Sequence, residues 1–196
     1  MISSFLRAPI NRVVQPTARA LIKWNITPNQ ITIVGSAGTI GTSLIFFTRG
    51  QFFWGTMAML LFIFSDLVDG TMARLGGQVS RFGAFLDSTL DRVVDAALLG
   101  SITYYLFTQN DRLQVVAWFA LAGGFLVSYV KARAEASGFT CDGGFAERPE
   151  RTIILLVATG FAGLGINYVL GIGIWLIAIS SYLTVIYRVV QVWRQR

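Results

Sequence analysis

The sequence predicts an all-α integral membrane protein, six transmembrane helices behind an N-terminal juxtamembrane amphipathic segment. Three observations predict it. Hydrophobic residues make up 54% of the chain against 13% charged, and the mean hydropathy is +0.61, outside the balance of a soluble domain. The apolar residues gather into six runs near the roughly 20 residues that cross about 30 Å of hydrocarbon. Lysine and arginine collect in alternate connectors, as they do when one side of a membrane retains positive charge.

In residues 1–26, Phe5, Leu6, Ile10, Val13, Val14, Leu21 and Ile22 alternate with Arg7, Arg12, Arg19 and Lys23, the pattern of a segment lying on the inner leaflet. Pro9 and Pro16 keep it from being one unbroken helix. A plain membrane anchor, with no part in chemistry, is the expectation. Arg7, Pro9 and Arg12 interrupt the first apolar run, so no cleavable signal peptide is expected. Residues 27–196 make up the six-helix core, and 1–196 read as one membrane domain.

The six spans run from Ile31 to Phe47, Phe52 to Ala73, Phe82 to Phe107, Leu113 to Ala132, Thr152 to Ile166, and Val169 to Tyr187; the fifth is short and glycine-rich. Thr27-Pro28-Asn29-Gln30-Ile31-Thr32 opens the first, with Pro28 early and Asn29 able to cap. The connectors near 49–51, 109–112 and 166–168 hold only Arg49 and Arg112, leaving 14 of the 16 Lys and Arg for the termini and the other two loops. Both termini and those loops are therefore expected on the cytoplasmic side of the cell membrane. The net charge of +6 and pI near 10.0 point, in so apolar a chain, to anionic lipid and not to nucleic acid.

Composition also narrows the chemistry. There is no histidine, so carboxylates must do any proton or metal work. Cys141 is the one cysteine, which excludes an intrachain disulfide and a thiolate zinc site.

Against that background the costly residues are Asp66, Asp69, Asp87 and Asp91. Carboxylates in a membrane segment cost several kcal/mol unless partnered, so each is a functional candidate. Asp66 and Asp69 share a helical face, as do Asp87 and Asp91, and the turn from Leu75 to Arg81 folds the second pair back toward the first. At about 1.5 Å per residue the four lie roughly 12 Å below the headgroups. Oxygen ligands in that number suit Mg2+ or Mn2+. A carboxylate-based ion or proton transporter is the alternative in a different class.

The full pattern is Asp66, two residues, Asp69-Gly70, two residues, Ala73-Arg74, eight residues, Gly83, three residues, Asp87, three residues, Asp91. This closely resembles the signature of the CDP-alcohol phosphotransferase family. The resemblance implies a homodimeric enzyme of six spans that moves a substituted phosphate from a CDP-linked donor to an acceptor hydroxyl and releases CMP. It implies two divalent ions held by Asp66, Asp69, Asp87 and Asp91, with Asp91 also the base. For CDP-diacylglycerol it implies contacts from Asn29, Gln30, Ile31, Thr32, Gly70, Ala73, Arg74 and Ser80. Metal-assisted displacement at a diphosphate needs such a set independently. Gly70 and Gly83 have a second reading as small residues of close helix packing, and Arg74 one as a membrane-edge anchor.

The loop from Lys131 to Arg151 resembles that of actinobacterial phosphatidylinositol phosphate synthases within this family. The resemblance implies 1D-myo-inositol 3-phosphate as acceptor, with Lys131, Arg151 and Arg188 on its phosphate. Arginine suits bidentate phosphate contact, and the competing reading is that these cations snorkel to the headgroups. Arg133, Arg148, Glu135 and Glu147 are expected to pair with one another or face solvent, and Asp95 to bond a neighbouring helix. Phosphatidylglycerophosphate synthesis, with glycerol 3-phosphate as acceptor, is the alternative within the family.

Overall fold

The computed structural model describes residues 14–75 and 80–196, without the side chains of residues 64–67 and 73. Every element among them is helical: α1 (residues 14–23), α2 (Pro28–Phe46), a 3-10 turn (Phe47–Arg49), α3 (Phe52–Leu75), α4 (Arg81–Thr108), α5 (Leu113–Ala136), α6 (Arg148–Gly163) and α7 (Tyr168–Trp193). Among the described residues four helical stretches are long and apolar enough to cross a membrane: Pro28–Arg49, Phe52–Met72, Leu113–Ala136 and Tyr168–Trp193. The chain is thus a multi-pass membrane protein. The other two expected spans differ for physical reasons. Arg81, Asp87, Asp91, Arg92 and Asp95 interrupt the apolar face of α4, and α6, at 16 residues, extends only about 24 Å. Helix α6 also begins a turn earlier than expected, because Pro149 sits in its first turn, where a missing N–H costs nothing.

The chain divides into two compact units, and α2, α3 and α4 each run from one into the other. The first comprises Met1–Thr42 and Ala58–Val94. Here α1 packs its apolar face on α3. Val14 and Ala18, one helical turn apart on α1, are buried against Val68 and Met72 of α3, with Leu21, Ile22, Ile26 and Ile31 packed around them. Arg19 and Lys23 point outward. The amphipathic face of residues 14–23 is therefore turned onto the helix that carries Asp66 and Asp69; residues 1–13 lie outside the described part.

The second unit comprises Ser43–Met57 and Asp95–Arg196. Helices α5 and α6 both pack on α7. Small residues permit this: a Cβ on Gly173 of α7 would collide with Ala158 of α6, the close approach that membrane helices use in place of a hydrophobic driving force. Thr56 and Thr159 share a buried hydroxyl contact at 2.7 Å. Where the chain leaves α2, Gly50 takes φ 71° beneath the Tyr105 ring, where an L side chain would meet both backbone strain and an aromatic wall.

Candidate active site

The first unit builds its site on the opening turn of α2. Thr27 and Gln30 form a reciprocal capping box: the Thr27 N–H donates to Gln30 Oε1 at 2.9 Å, and the Gln30 N–H to Thr27 Oγ1 at 3.4 Å. The cap is thus Thr27 and not Asn29, and the Gln30 side chain belongs to it. Thr32 follows one turn on. Its hydroxyl donates to Asp69 Oδ2 at 2.6 Å, far shorter than its 3.1 Å approach to the Pro28 carbonyl, and both Thr32 and Asp69 are buried. Ile31 faces the apolar cluster beside α1.

Asn29, relieved of capping, turns toward α4. There Ser80 caps the helix, accepting the Gly83 N–H at 2.9 Å. A Cβ at Gly83 would lie 3.0 Å from Ser80 Oγ and 3.1 Å from Asn29 Oδ1, so glycine here admits two polar side chains. Gly70 differs: among the described residues a Cβ there would meet only Arg74 Nη1, at an ordinary 3.7 Å. Arg74, exposed in the last turn of α3, donates to Thr71 Oγ1 at 3.1 Å. One helical turn of α2 therefore touches both halves of the aspartate motif.

On α4, Asp87 is exposed, and Asp91 is largely buried with Arg92 Nη2 3.6 Å from its Oδ2. The Arg92 contact was not anticipated, since its position next to Asp91 hides a pairing that runs around the helix. The Asp66 and Ala73 side chains lie outside the described residues. Among the described residues no three carboxylates come together as a ready-made metal cage. The donor chemistry nonetheless fits a hard divalent cation: the motif offers carboxylate oxygens alone, Asp69 is held by a hydroxyl donor, and no softer ligand is at hand.

The second unit gathers the basic candidates, each with a specific partner. Lys131 Nζ lies 2.7 Å from Asp142 Oδ1 and 3.8 Å from Glu135 Oε1. The hydrogen bond from Lys131, more than its charge alone, holds the Asp142 carboxyl below its ordinary 3.8. Arg151 is buried at 6% exposure, with Nη1 donating to the Ala146 carbonyl at 3.2 Å and Nη2 3.4 Å from Asp95 Oδ2. Asp95 also meets Arg148 Nε at 3.6 Å, so it bonds to a neighbouring helix as expected.

Arg188, at 3% exposure, is the strap of the loop between α5 and α6. It donates to the Gly143 carbonyl (3.0 Å), the Val127 carbonyl (2.8 Å) and Glu147 Oε1 (3.1 Å). Of the four residues expected to pair with one another or face solvent, Arg133 and Glu135 are exposed, as expected, Glu135 lying 3.8 Å from Lys131; the expectation is corrected for Glu147, which meets Arg188, and Arg148, which meets Asp95, because each finds its partner on another element. Thr184 completes the loop, accepting the Phe145 and Ala146 N–H groups at 3.0 Å each, a role no sequence pattern signals. Gly144, at φ 139° against the Thr184 methyl, leaves no space for a side chain. Burial pushes the Cys141 thiol above its ordinary 9.0, against the opposing pull of Arg188 and Lys131.

The chain is 48% identical to the phosphatidylinositol phosphate synthase of Streptomyces avermitilis, over 100% of this chain and 84% of that one. Its fold matches the crystal structure of Mycobacterium tuberculosis phosphatidylinositol phosphate synthase with CDP-DAG bound, at a TM-score of 0.88 and 38% identity, covering 93% of this chain and 94% of that one. The same synthase in complex with manganese and citrate matches at a TM-score of 0.86 and 37% identity, over 92% and 88% of the two chains. The sequence model for CDP-alcohol phosphatidyltransferase matches residues 25–189. With its aspartate motif on α3 and α4 braced by the first turn of α2, the chain belongs to the CDP-alcohol phosphatidyltransferase family.

Proposed function

We propose that this chain transfers the phosphatidyl group of CDP-diacylglycerol to 1D-myo-inositol 3-phosphate, forming phosphatidylinositol phosphate and CMP. The observation that carries the reading is the junction at α2. Its opening turn, with Asn29 beside Gly83 and Thr32 on Asp69, connects the segment proposed for the nucleotide to both arms of the acidic motif. The similarity to phosphatidylinositol phosphate synthases across the full chain supports the acceptor.

In this reading Asp66, Asp69, Asp87 and Asp91 hold divalent cations, two per site, Mg2+ or Mn2+. When bound, these neutralise charge on the diphosphate oxygens and on departing CMP. Gly70 leaves room for the nucleotide, since among the described residues a Cβ there would meet only Arg74. Arg74 makes a charge-assisted contact to the diphosphate, and Ala73 and Ser80 line the donor site with Asn29, Gln30, Ile31 and Thr32. Asp91 accepts the proton of the acceptor hydroxyl as its oxygen bonds to the phosphatidyl phosphorus and the phosphorus–oxygen bond to CMP breaks. Lys131 and Arg151 grip the acceptor phosphate, exchanging contacts with Asp142 and Asp95 for it. Arg188 adds positive charge while holding the loop in shape.

Helices α4 and α6 complete six spans, the aspartate motif faces the cytoplasm by the distribution of Lys and Arg, and the working enzyme is a homodimer in the cell membrane. An acceptor panel tests the proposal: purified protein with CDP-diacylglycerol and Mg2+ is offered inositol phosphate, inositol, glycerol 3-phosphate and serine separately, and CMP is measured. Inositol phosphate is expected to give the fastest release. Faster release with free inositol would overturn the roles of Lys131, Arg151 and Arg188, and faster release with glycerol 3-phosphate would overturn the acceptor.

A further inference from the structure

Two grooves on α7 adjoin, and their chemistry changes from one end to the other. Near the middle of the helix an apolar groove of about 380 Å3 lies between α7 and α5, walled by Phe119, Trp175, Ile179 and Tyr182. At the C-terminal end a second groove of about 610 Å3 is bordered by Tyr187, Gln191, Arg194 and Gln195, with Phe145 of the loop standing edge-on to Tyr187 at 6.3 Å. The two share Leu183 and Ile186, so they form one trench. Both volumes fall in the range of built ligand sites, roughly 300 to 1,000 Å3. From Gln191 back to Trp175 is 16 residues, or about 24 Å of helix, close to the 20 Å or so of one leaflet with its headgroup layer.

Two features set this trench apart from ordinary lipid-facing surface. Gln191 Oε1 is buried, and among the described residues no hydrogen-bond donor reaches it. An acceptor cut off from water is costly to leave unpaired unless something occupies the site and donates to it. Arg194, exposed beside it, has no carboxylate partner among the described residues. A cation and an unsatisfied acceptor at the polar end, above an apolar slot one leaflet deep, match a molecule with an anionic phosphate, a nearby donor and a hydrocarbon chain.

We propose that this trench binds an anionic glycerophospholipid whose headgroup carries hydroxyls, with the phosphate on Arg194, a hydroxyl donating to Gln191 Oε1, and one acyl chain lying along Leu183, Ile179 and Trp175. The site is separate from the aspartate motif, and none of its residues takes part in the transfer proposed above.

The test uses the intact protein in bilayers of equal parts phosphatidylglycerol and phosphatidylcholine, with brominated acyl chains placed on one lipid or on the other. Bilayer composition is then constant and only the identity of the quencher changes. The readout is the part of the tryptophan emission that Trp175→Phe removes. Brominated phosphatidylglycerol is expected to quench it with about a fivefold preference over brominated phosphatidylcholine, the discrimination that one basic residue near a charged headgroup supplies. The double variant Arg194→Gln, Gln191→Leu should abolish the preference while quenching by both lipids persists and CMP release stays unchanged. Equal quenching by the two lipids in the wild-type protein would overturn the proposal, leaving only bilayer contact. So would protection of Trp175 from both lipids in a crosslinked dimer, which would assign the trench to a second copy of the chain.

Discussion

Replacing Thr32 with valine removes one oxygen and keeps the side chain's shape. The bond it deletes, 2.6 Å from hydroxyl to Asp69 Oδ2 with both residues buried, lies in the short range of charge-assisted O–H···O⁻ contacts. A hydrogen bond to a charged group contributes about 1.5 to 3 kcal/mol, which at about 1.4 kcal/mol per decade corresponds to roughly 10- to 150-fold in an equilibrium constant. Because Thr32 orients a proposed metal ligand, that loss should fall on the cation, and disturbing such outer partners typically costs about 10- to 100-fold in metal affinity or activity. The assay is CMP release titrated with Mn2+ or Mg2+. Thr32→Val should shift the half-saturating metal concentration upward by about one to two decades, and Thr32→Ser, which keeps the hydroxyl, should shift it little. An unchanged metal dependence in the valine variant, with melting in detergent also unchanged, would refute the claim that this contact positions Asp69 for a metal.

Other residues give sharper local outcomes. Asp91→Asn should abolish CMP release while CDP-diacylglycerol binding persists, and loss of donor binding alone would contradict a base at Asp91. Gly70→Ala, which among the described residues meets only Arg74 Nη1 at 3.7 Å, should leave melting unchanged yet weaken donor affinity, and unchanged affinity would remove the nucleotide from that position. Thr184→Ala should leave two loop N–H groups without their acceptor, at about 1 to 3 kcal/mol each when buried; the expected result is a higher KM for inositol phosphate with donor affinity unchanged, and an unaltered KM would contradict the loop's role. The Asp142 carboxyl is held below 3.8 in the folded chain, so the Lys131 contact is complete above that pH and is lost as pH falls through the lowered value. Protease cleavage within residues 137–147 should therefore rise at the acid end in the wild-type protein and be independent of pH there in Asp142→Asn.

Much of the architecture could be read from hydropathy and spacing, because membrane spans and a helical carboxylate motif are both one-dimensional patterns. The end of the apolar run and the glycines after it mark a break between two helices, and α3 ends at Leu75 and α4 begins at Arg81; residues 76–79 lie outside the described part. The T-x-x-Q pattern of Thr27 and Gln30 was also legible as a capping box, though Asn29 beside Pro28 is the more conspicuous capping residue. What spacing does not encode is contact between distant segments. Thr32 meets Asp69 across 37 positions and Arg188 meets Gly143 across 45, so which polar side chains meet is settled only by packing. The same holds for α1: its alternating apolar and basic residues do not say which helix its apolar face meets, and only packing brings Val14 and Ala18 onto Val68 and Met72. Asp142, exposed in a loop and lacking any motif, becomes noticeable only through its 2.7 Å contact with Lys131.

The claim beneath these predictions is that the acidic motif of α3 and α4 works through bound divalent cations on a CDP-linked lipid. Stripping the purified protein with a chelator and measuring CMP release from CDP-diacylglycerol and inositol phosphate tests it most directly. The account predicts no turnover in the stripped protein and full recovery on adding Mn2+ or Mg2+; a metal-free protein that retains its rate would contradict it.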